Sequence, residues 1–246
     1  MSAWVFDLGN TRLKCAPLHA DGVGDVIALP HREADLAAAL AAALPPRIDV
    51  AYVASVANDA LRVALLQALA ARTCRISLAR TQAAFGDFRI AYAQPHKLGV
   101  DRFLAMLAAH RRHQGEAVLV CGVGTALTID LVDAGGRHVG GRIAPSPTLM
   151  REVLHERAPQ LPAQGGDHAD FATDTEDALA SGCDGAALAL VESSAEAARR
   201  TLGQRPRVLV HGGGAEQLAM RLPEAVQSVS LVLEGLAIWA AVDSIA

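Results

Sequence analysis

Two stretches of the chain repeat one scheme, and that repeat limits what the rest can fold into. In the first, an apolar run from Trp4 breaks into Asp7-Leu8-Gly9-Asn10-Thr11-Arg12, and apolar alternation resumes at Leu13, Cys15 and Pro17. This reads as a strand, a tight turn and a returning strand. In the second, Ala117-Val118-Leu119-Val120-Cys121 leads into Gly122-Val123-Gly124-Thr125 and then into alternation up to Asp130. Each copy continues into a polar turn, at residues 19–22 and 133–136, and a further short apolar strand. The chain is therefore expected to be internally duplicated, with lobes at residues 1–115 and 116–246.

The chemistry of the first turn points to phosphate. Gly9 admits a sharp turn, so that successive N–H groups converge on one concavity, a geometry that holds phosphate oxygens. Asn10, Thr11 and Lys14 add donors. Asp7, at the strand's exit, is unsuited to face a phosphate but suits the Mg²⁺ that accompanies one. The same residues also suit an ordinary hairpin in which Asp7 caps its own turn.

Half of the 246 residues are apolar and a fifth are charged, enough for a packed α/β core. A formal charge of −4 gives no electrostatic reason to expect nucleic acid or an anionic membrane as partner. The N-terminus has no cationic-then-apolar leader and no apolar run reaches ~18 residues, so a soluble, cytoplasmic protein is expected. Cys15, Cys74, Cys121 and Cys183 are far apart and form no C-x-x-C pair; they read as small buried hydrophobes rather than a zinc site or a disulfide framework.

Helices are expected over Glu33–Leu44, stopped by Pro45-Pro46, over Asp59–Arg72 behind an Asn58 cap, from Phe103 to about His113, over Thr148–Arg157, from Thr175 to about Leu202, over Ala215–Arg221 and over Glu234–Ile245. Strands are expected at Ile48–Ala54, Cys74–Leu78, Arg207–Val210 and Ser228–Val232. The glycine-proline segment from Gly140 to Pro147 reads as one that must turn tightly, Gln164–Asp174 as a mobile loop, and His110 with His113 as a solvated face rather than a metal pair. Asp101 falls at a helix start, where it suits either an N-cap or a general base. No G-x-x-x-x-G-K-[ST] and no G-x-G-x-x-G after a strand occurs, which removes P-loop and Rossmann nucleotide sites. His211-Gly212-Gly213-Gly214 lacks the G-x-S-x-G elbow of an esterase. It reads as a loop that admits a flat ligand such as adenine, or as a plain strand-to-helix turn.

Taken together, D-x-G-N-T at 7–11, Tyr92-x-x-Pro95-x-x-x-Gly99-x-Asp101-Arg102, Gly124-Thr125-Ala126-x-Thr128-x-Asp130, Gly140-Gly141-x-Ile143-x-Pro145, the helix start Thr175-x-x-Ala178-Leu179-x-Ser181-Gly182, and Gly212-Gly213 resemble type III pantothenate kinase nearly end to end. The resemblance implies a duplicated actin-like, ribonuclease-H-like α/β fold of the ASKHA superfamily, two similar lobes with a cleft between them, in a cytoplasmic homodimer. It implies transfer of the γ-phosphate of ATP to the primary hydroxyl of pantothenate, the first step of coenzyme A synthesis. Asp7, Leu8, Gly9, Asn10, Thr11, Arg12, Leu13 and Lys14 would hold the ATP phosphates and Mg²⁺, with Thr125 on the nucleotide. Tyr92, Gly99, Val100, Asp101, Arg102 and Thr175 would hold pantothenate, Thr175 reaching across the dimer, with Asp101 as general base and Arg102 on the pantothenate carboxylate. Gly122 stands where the family carries an Asp that coordinates a monovalent cation, which leaves a K⁺ or NH₄⁺ requirement open, with Asp130 the weaker candidate for a residual metal contact. Ser146 replaces a Gly and His211 a Thr. The competing readings are another actin-like small-molecule kinase, an ATP-binding accessory regulator without turnover, and a purely structural homodimer.

Overall fold

A computed structural model describes residues 2–30 and 36–243. The chain forms two compact units, one from the chain up to Arg112 together with the segment from Ser230 on, the other from His113–Val229.

In the first unit the N-terminal apolar run becomes β1 (Ala3–Leu8) and returns as β2 (Arg12–His19), with which β3 (Gly22–Val23) and β4 (Ile27–Pro30) also pair. The alanine-leucine stretch forms α1 (Leu36–Ala43), ahead of Pro45-Pro46; the expected residues Glu33 to Asp35 lie outside the described residues. β5 (Ile48–Ser55) and α2 (Asp59–Ala70) follow, and Asn58 Oδ1 accepts the Leu61 N–H at 3.0 Å as the expected cap. After β6 (Thr73–Leu78), a small hairpin of β7 (Ala84–Phe85) and β8 (Phe88–Arg89) leads through a 3₁₀ turn at Pro95–Lys97 into α3 (Val100–Arg112). The sheet order is β3-β2-β1-β5-β6, with β1 antiparallel to β2 and parallel to β5. Trp4, Phe6, Leu8 and Leu13 pack on one side with Leu40, Leu65 and Leu69 of the first two helices.

The second unit repeats the plan with β9 (Val118–Val123), β10 (Ala126–Val132), β11 (His138–Pro145), α4 (Pro147–Arg157), α5 (Thr175–Leu202), β12 (Arg207–His211), α6 (Ala215–Ala219) and β13 (Ala225–Gln227). Its order is β11-β10-β9-β12-β13, again with the central strand antiparallel to its hairpin partner and parallel to the strand on its other side. Strand order and strand sense thus coincide in the two halves, which is the duplication expected from sequence. Cys121, Val123, Leu127 and Ile129 pack with Val191 and Ala195 of α5 and Leu218 of α6. Asp174 caps α5 by accepting the Asp177 N–H at 3.0 Å, and Gly203, at φ +72°, ends it.

Several expectations change. Of the expected turn segment, residues 140–145 lie inside β11 and the chain turns only at Ser146, the cap of α4; Gly140, at φ +150°, serves a β-bulge where the register slips by one residue between Leu131 and Val132. The expected strand at Ser228–Val232 ends earlier, at Gln227, because the apolar run Leu231-Val232-Leu233 is the start of α7 (Leu231–Asp243). A short apolar run does not by itself distinguish a strand from a buried helix. Here Ser230 hydrogen-bonds Glu234 and begins the helix. The sequence division at residue 115 puts this closing helix in the second lobe, but it packs on α3 and on β1, β2, β3 and β5 of the first unit. The first sheet is therefore covered on both faces, which is why β1 reads as a continuous apolar run. Cys74 is exposed rather than buried. His110 is not solvated but 3% exposed, 3.2 Å from Asp87. The 164–174 segment has no regular structure, yet side chains tie it down: Asp177 Oδ1 accepts the Asp167 N–H at 2.7 Å and Ser181 Oγ the Ala169 N–H at 2.8 Å.

The α3–α7 contact depends on a missing side chain. A Cβ on Gly235 would stand 2.0 Å from the Leu104 carbonyl oxygen. Gly235→Ala is expected to cost about 1–3 kcal/mol through overpacking, read as a lower Tm. Gly185→Ala on α5, where the added Cβ meets nothing within 4 Å, should instead be neutral or stabilising.

Candidate active site

In the first unit the register of the β1–β2 hairpin sets Asp7 opposite Lys14 and Leu8 opposite Leu13. Leu8 and Leu13 are fully buried core residues, so only their backbone is available to a ligand. The Gly9 N–H closes the turn onto the Arg12 carbonyl at 3.1 Å, and Asn10, Thr11 and Arg12 are exposed around it. Gly9 is not required by strain: its φ is not left-handed, and an added Cβ would meet only the Arg12 carbonyl oxygen, at 3.5 Å. The hydrogen at this position keeps the turn's outer surface low rather than relieving a clash. Burial pushes the Asp7 carboxyl up to about 7, the nearby Asp101 carboxylate adds to that, and Lys14 opposes it.

The second group of expected residues assembles around the start of α3. The helix begins at Val100, earlier than expected from sequence, because Gly99 and not Asp101 is its leading residue: the Phe103 N–H donates to the Gly99 carbonyl at 3.0 Å. Thr81 Oγ1 anchors the approach by donating to the Leu98 carbonyl at 2.7 Å. Asp101 Oδ1 accepts the Arg102 N–H at 2.8 Å, and the carboxylate folds so closely over Gly99 that a Cβ there would be 2.6 Å from Oδ1. Asp101 thus takes a first-turn N–H, as a capping carboxylate does, while its charge is felt at Asp7 on β1. Arg102 is 7% exposed; its Nη1 donates to the Tyr92 hydroxyl at 3.4 Å, and its guanidinium carbon lies 5.9 Å from the centre of that ring. Val100 is buried in the helix's packing face, which leaves its backbone for any ligand. Asp7, Lys14, Gly99, Asp101, Arg102 and Tyr92, singled out in two separate stretches, thus belong to one unit, and Asp7 is close enough to Asp101 to feel its charge.

In the second unit the counterpart turn exposes Gly124 and Thr125, with the Gly124 N–H on the Ala126 carbonyl at 3.0 Å. As at Gly9, an added Cβ on Gly124 meets nothing closer than 4.0 Å. The glycines after β12 behave differently. Gly212 has φ +103°, and a Cβ on it would stand 2.3 Å from the Val123 carbonyl oxygen, while the Gly214 N–H donates to that oxygen at 3.1 Å. These glycines let the loop lie against β9, which favours the strand-to-helix reading over a ligand-admitting one. Asp130 does not suit a residual metal contact: it is 2% exposed and 3.1 Å from the fully buried His138. Thr175 is the exposed first residue of α5. Among the described residues no group of three or more His, Cys, Asp or Glu is placed to hold a metal ion. The one carboxylate of the first turn that could hold a divalent cation, as a single oxygen donor, is Asp7. Sequence reasoning left unassigned how Gly122 and His211 pack together. The available signal was two unusual residues on strands that the duplicated plan makes neighbours.

The raised Asp7 pKa has a definite sign. Between about 4 and about 7 the folded chain keeps a proton that the unfolded chain releases, so the burial cost grows across that window and is complete above it. In the ligand-free protein Asp7→Asn is expected to raise Tm by several degrees at pH 8 and to match the parent near pH 4. A Tm gain independent of pH would contradict this origin.

Comparison with known proteins gives the family and the fold. The family model for type III pantothenate kinase matches residues 4–197. A type III pantothenate kinase of Stenotrophomonas maltophilia is 56% identical over 240 residues, 98% of each chain, and one of Xanthomonas axonopodis pv. citri is 55% identical over 245 residues, 99% of each. Among solved structures, a Baf family protein of Campylobacter jejuni aligns with a TM-score of 0.64 at 18% identity, covering 99% of this chain and 100% of that one. An archaeal actin homolog aligns at 0.53 and 11% identity, covering 98% and 99%. These distant likenesses establish the actin-like fold, and the near relatives establish more: the chain belongs to the type III pantothenate kinase family.

Proposed function

We propose that the chain transfers the γ-phosphate of ATP to the primary hydroxyl of pantothenate, giving 4′-phosphopantothenate and ADP, and that it does so in the cytoplasm. The observation that carries the residue assignment is that, within one unit, Asp101 at the start of α3 is near enough to Asp7 for its charge to be felt there, with Arg102 next to it and its guanidinium on the Tyr92 hydroxyl. The 7–14 turn takes phosphates through its backbone N–H groups, Asn10, Thr11, Arg12 and Lys14; on the second unit's own turn, Thr125 is the candidate nucleotide contact. Mg²⁺, when bound, neutralises charge on the phosphates, and Asp7 is the residue that would hold it. Asp7 would hold it as the ionised carboxylate, the form that burial disfavours in the protein alone.

Tyr92, the 99–102 turn and Thr175 hold pantothenate, and the Arg102 guanidinium matches its carboxylate in a bidentate pair. The hydroxyl oxygen attacks the γ-phosphorus, the bond to the β-phosphate oxygen breaks as ADP leaves, and the hydroxyl proton passes to Asp101. An aspartate is a weak base for an alcohol, but a loose phosphoryl transition state asks only for late proton removal. With Gly122 lacking a carboxylate and Asp130 committed to His138, turnover is expected without K⁺ or NH₄⁺.

A homodimer accounts for an apolar face of the second unit. A pocket of ≈ 470 Å³ is lined by Leu149, Met150, Val153 and Leu154 of α4 and Leu179 and Cys183 of α5. Ile143, at 64% exposure, and Phe171, at 96%, are large apolar side chains of the same unit left in water. Thr175 opens the helix that lines this face, which suits a residue completing the partner's pantothenate site.

Two pairs of variants test the assignment. Asp101→Asn should keep its Tm and lose kcat by about 10²–10⁴-fold, whereas Gly9→Ala should keep its Tm and raise KM for ATP about tenfold or more. Retained turnover in Asp101→Asn would remove it as the base. Leu154→Arg should convert a dimer into a monomer by light scattering and raise KM for pantothenate, as should Thr175→Ala within an intact dimer.

A further inference from the structure

The duplicated plan makes Gly122 the counterpart of Asp7. Each lies on the central strand two residues before the turn glycine, and each faces the returning strand across the hairpin, Asp7 opposite Lys14 and Gly122 opposite Thr128. The first unit fills this position with a carboxylate; the second leaves it without a side chain and fills the space from elsewhere. An ideal Cβ on Gly122 would stand 2.7 Å from Thr128 Oγ1, 3.0 Å from His211 Nε2 and 3.2 Å from His211 Cε1. The imidazole thus leans over the Gly122 Cα, its Nε2 edge converging with the Thr128 hydroxyl.

The ring is held there by its backbone. His211 is the last residue of β12 and pairs with Gly122, and the next residue, Gly212, is wedged against the Val123 carbonyl. Val123 directly precedes Gly124-Thr125. The imidazole is therefore fixed beside the exposed turn while staying partly open to solvent itself. The turn's own donors are backbone N–H groups and the Thr125 hydroxyl, and the imidazole ring N–H adds one more beside them.

From this packing we propose that His211 is a nucleotide-binding residue of this chain, its ring N–H donating to a phosphate oxygen of ATP at the Gly124-Thr125 turn, and that Gly122 is a glycine to make room for that ring. This rests on the reading that the Thr125 turn contacts the nucleotide. The opposing explanation is a space-filling plug, which any ring of similar size would satisfy.

The test is calorimetric titration of the purified protein with ATP–Mg²⁺, together with KM for both substrates, for the parent, Thr125→Val, His211→Phe, His211→Gln, Gly122→Ala and the double variant Gly122→Ala/His211→Phe. The expectation is unchanged Tm for His211→Phe, ATP affinity weakened about tenfold, KM for pantothenate unchanged, and partial recovery in His211→Gln, which keeps a donor. Gly122→Ala should reproduce the ATP defect by displacing the ring, and the double variant should be no worse than His211→Phe. If Thr125→Val weakens ATP while His211→Phe binds it as the parent does, the histidine is a plug and the proposal falls. If neither variant changes ATP affinity, the reading of the second turn falls and the proposal with it.

Discussion

The register of the first hairpin is the constraint on which the rest depends. Asp7 lies between Phe6 and Leu8, both fully buried, on a strand whose successive side chains point to opposite faces. A slip of one residue would drive the carboxylate into the core under α1 and α2 and turn the two apolar residues toward α7. The large core residues therefore hold the charge in position, and they place it where the start of α3 brings Asp101. The elevated Asp7 pKa marks first the cost of burying that carboxylate, to which the charge of nearby Asp101 adds.

Duplication explains why the second unit looks similar and works differently. The strand order, strand sense and turn position are repeated, since each is needed to cover a five-strand path of sheet with helices. The residues at the ends of the central strands have diverged. The first unit keeps Asp7 and Lys14 at the paired position, and the second has Gly122 and Thr128 with a histidine laid over them. Glycine also does different work in the two settings: at Gly9 and Gly124 it leaves surface open, while at Gly212 and Gly235 it lets backbone touch backbone.

Much of this was legible in the chain, and the failures have physical causes. Strand–turn–strand repeats, the Asn58 cap and the long helix from Thr175 follow from local patterns that the structure keeps. The start of α3 was misjudged because Gly99, ordinarily a weak helix leader, is selected by the Asp101 carboxylate folded over it. Gly140 was misread because a positive φ serves a bulge as well as a turn. The closing helix was assigned to the wrong unit because its partner, α3, lies more than a hundred residues earlier and no local signal names it. Among site residues, Tyr92 and Arg102 came together as expected, whereas Leu8 and Leu13, being core, retain only their backbone for a ligand. The packing of His211 on Gly122 depends on pairing between β9 and β12, which sequence adjacency does not reveal.

The most direct measurement is product formation: purified protein incubated with pantothenate, ATP and Mg²⁺ in Na⁺ alone and again with K⁺ added, with 4′-phosphopantothenate and ADP quantified by mass spectrometry. The account predicts the two products in equal amounts in both salts. ATP bound but no phosphopantothenate in either salt would contradict it and favour a nucleotide-binding regulator.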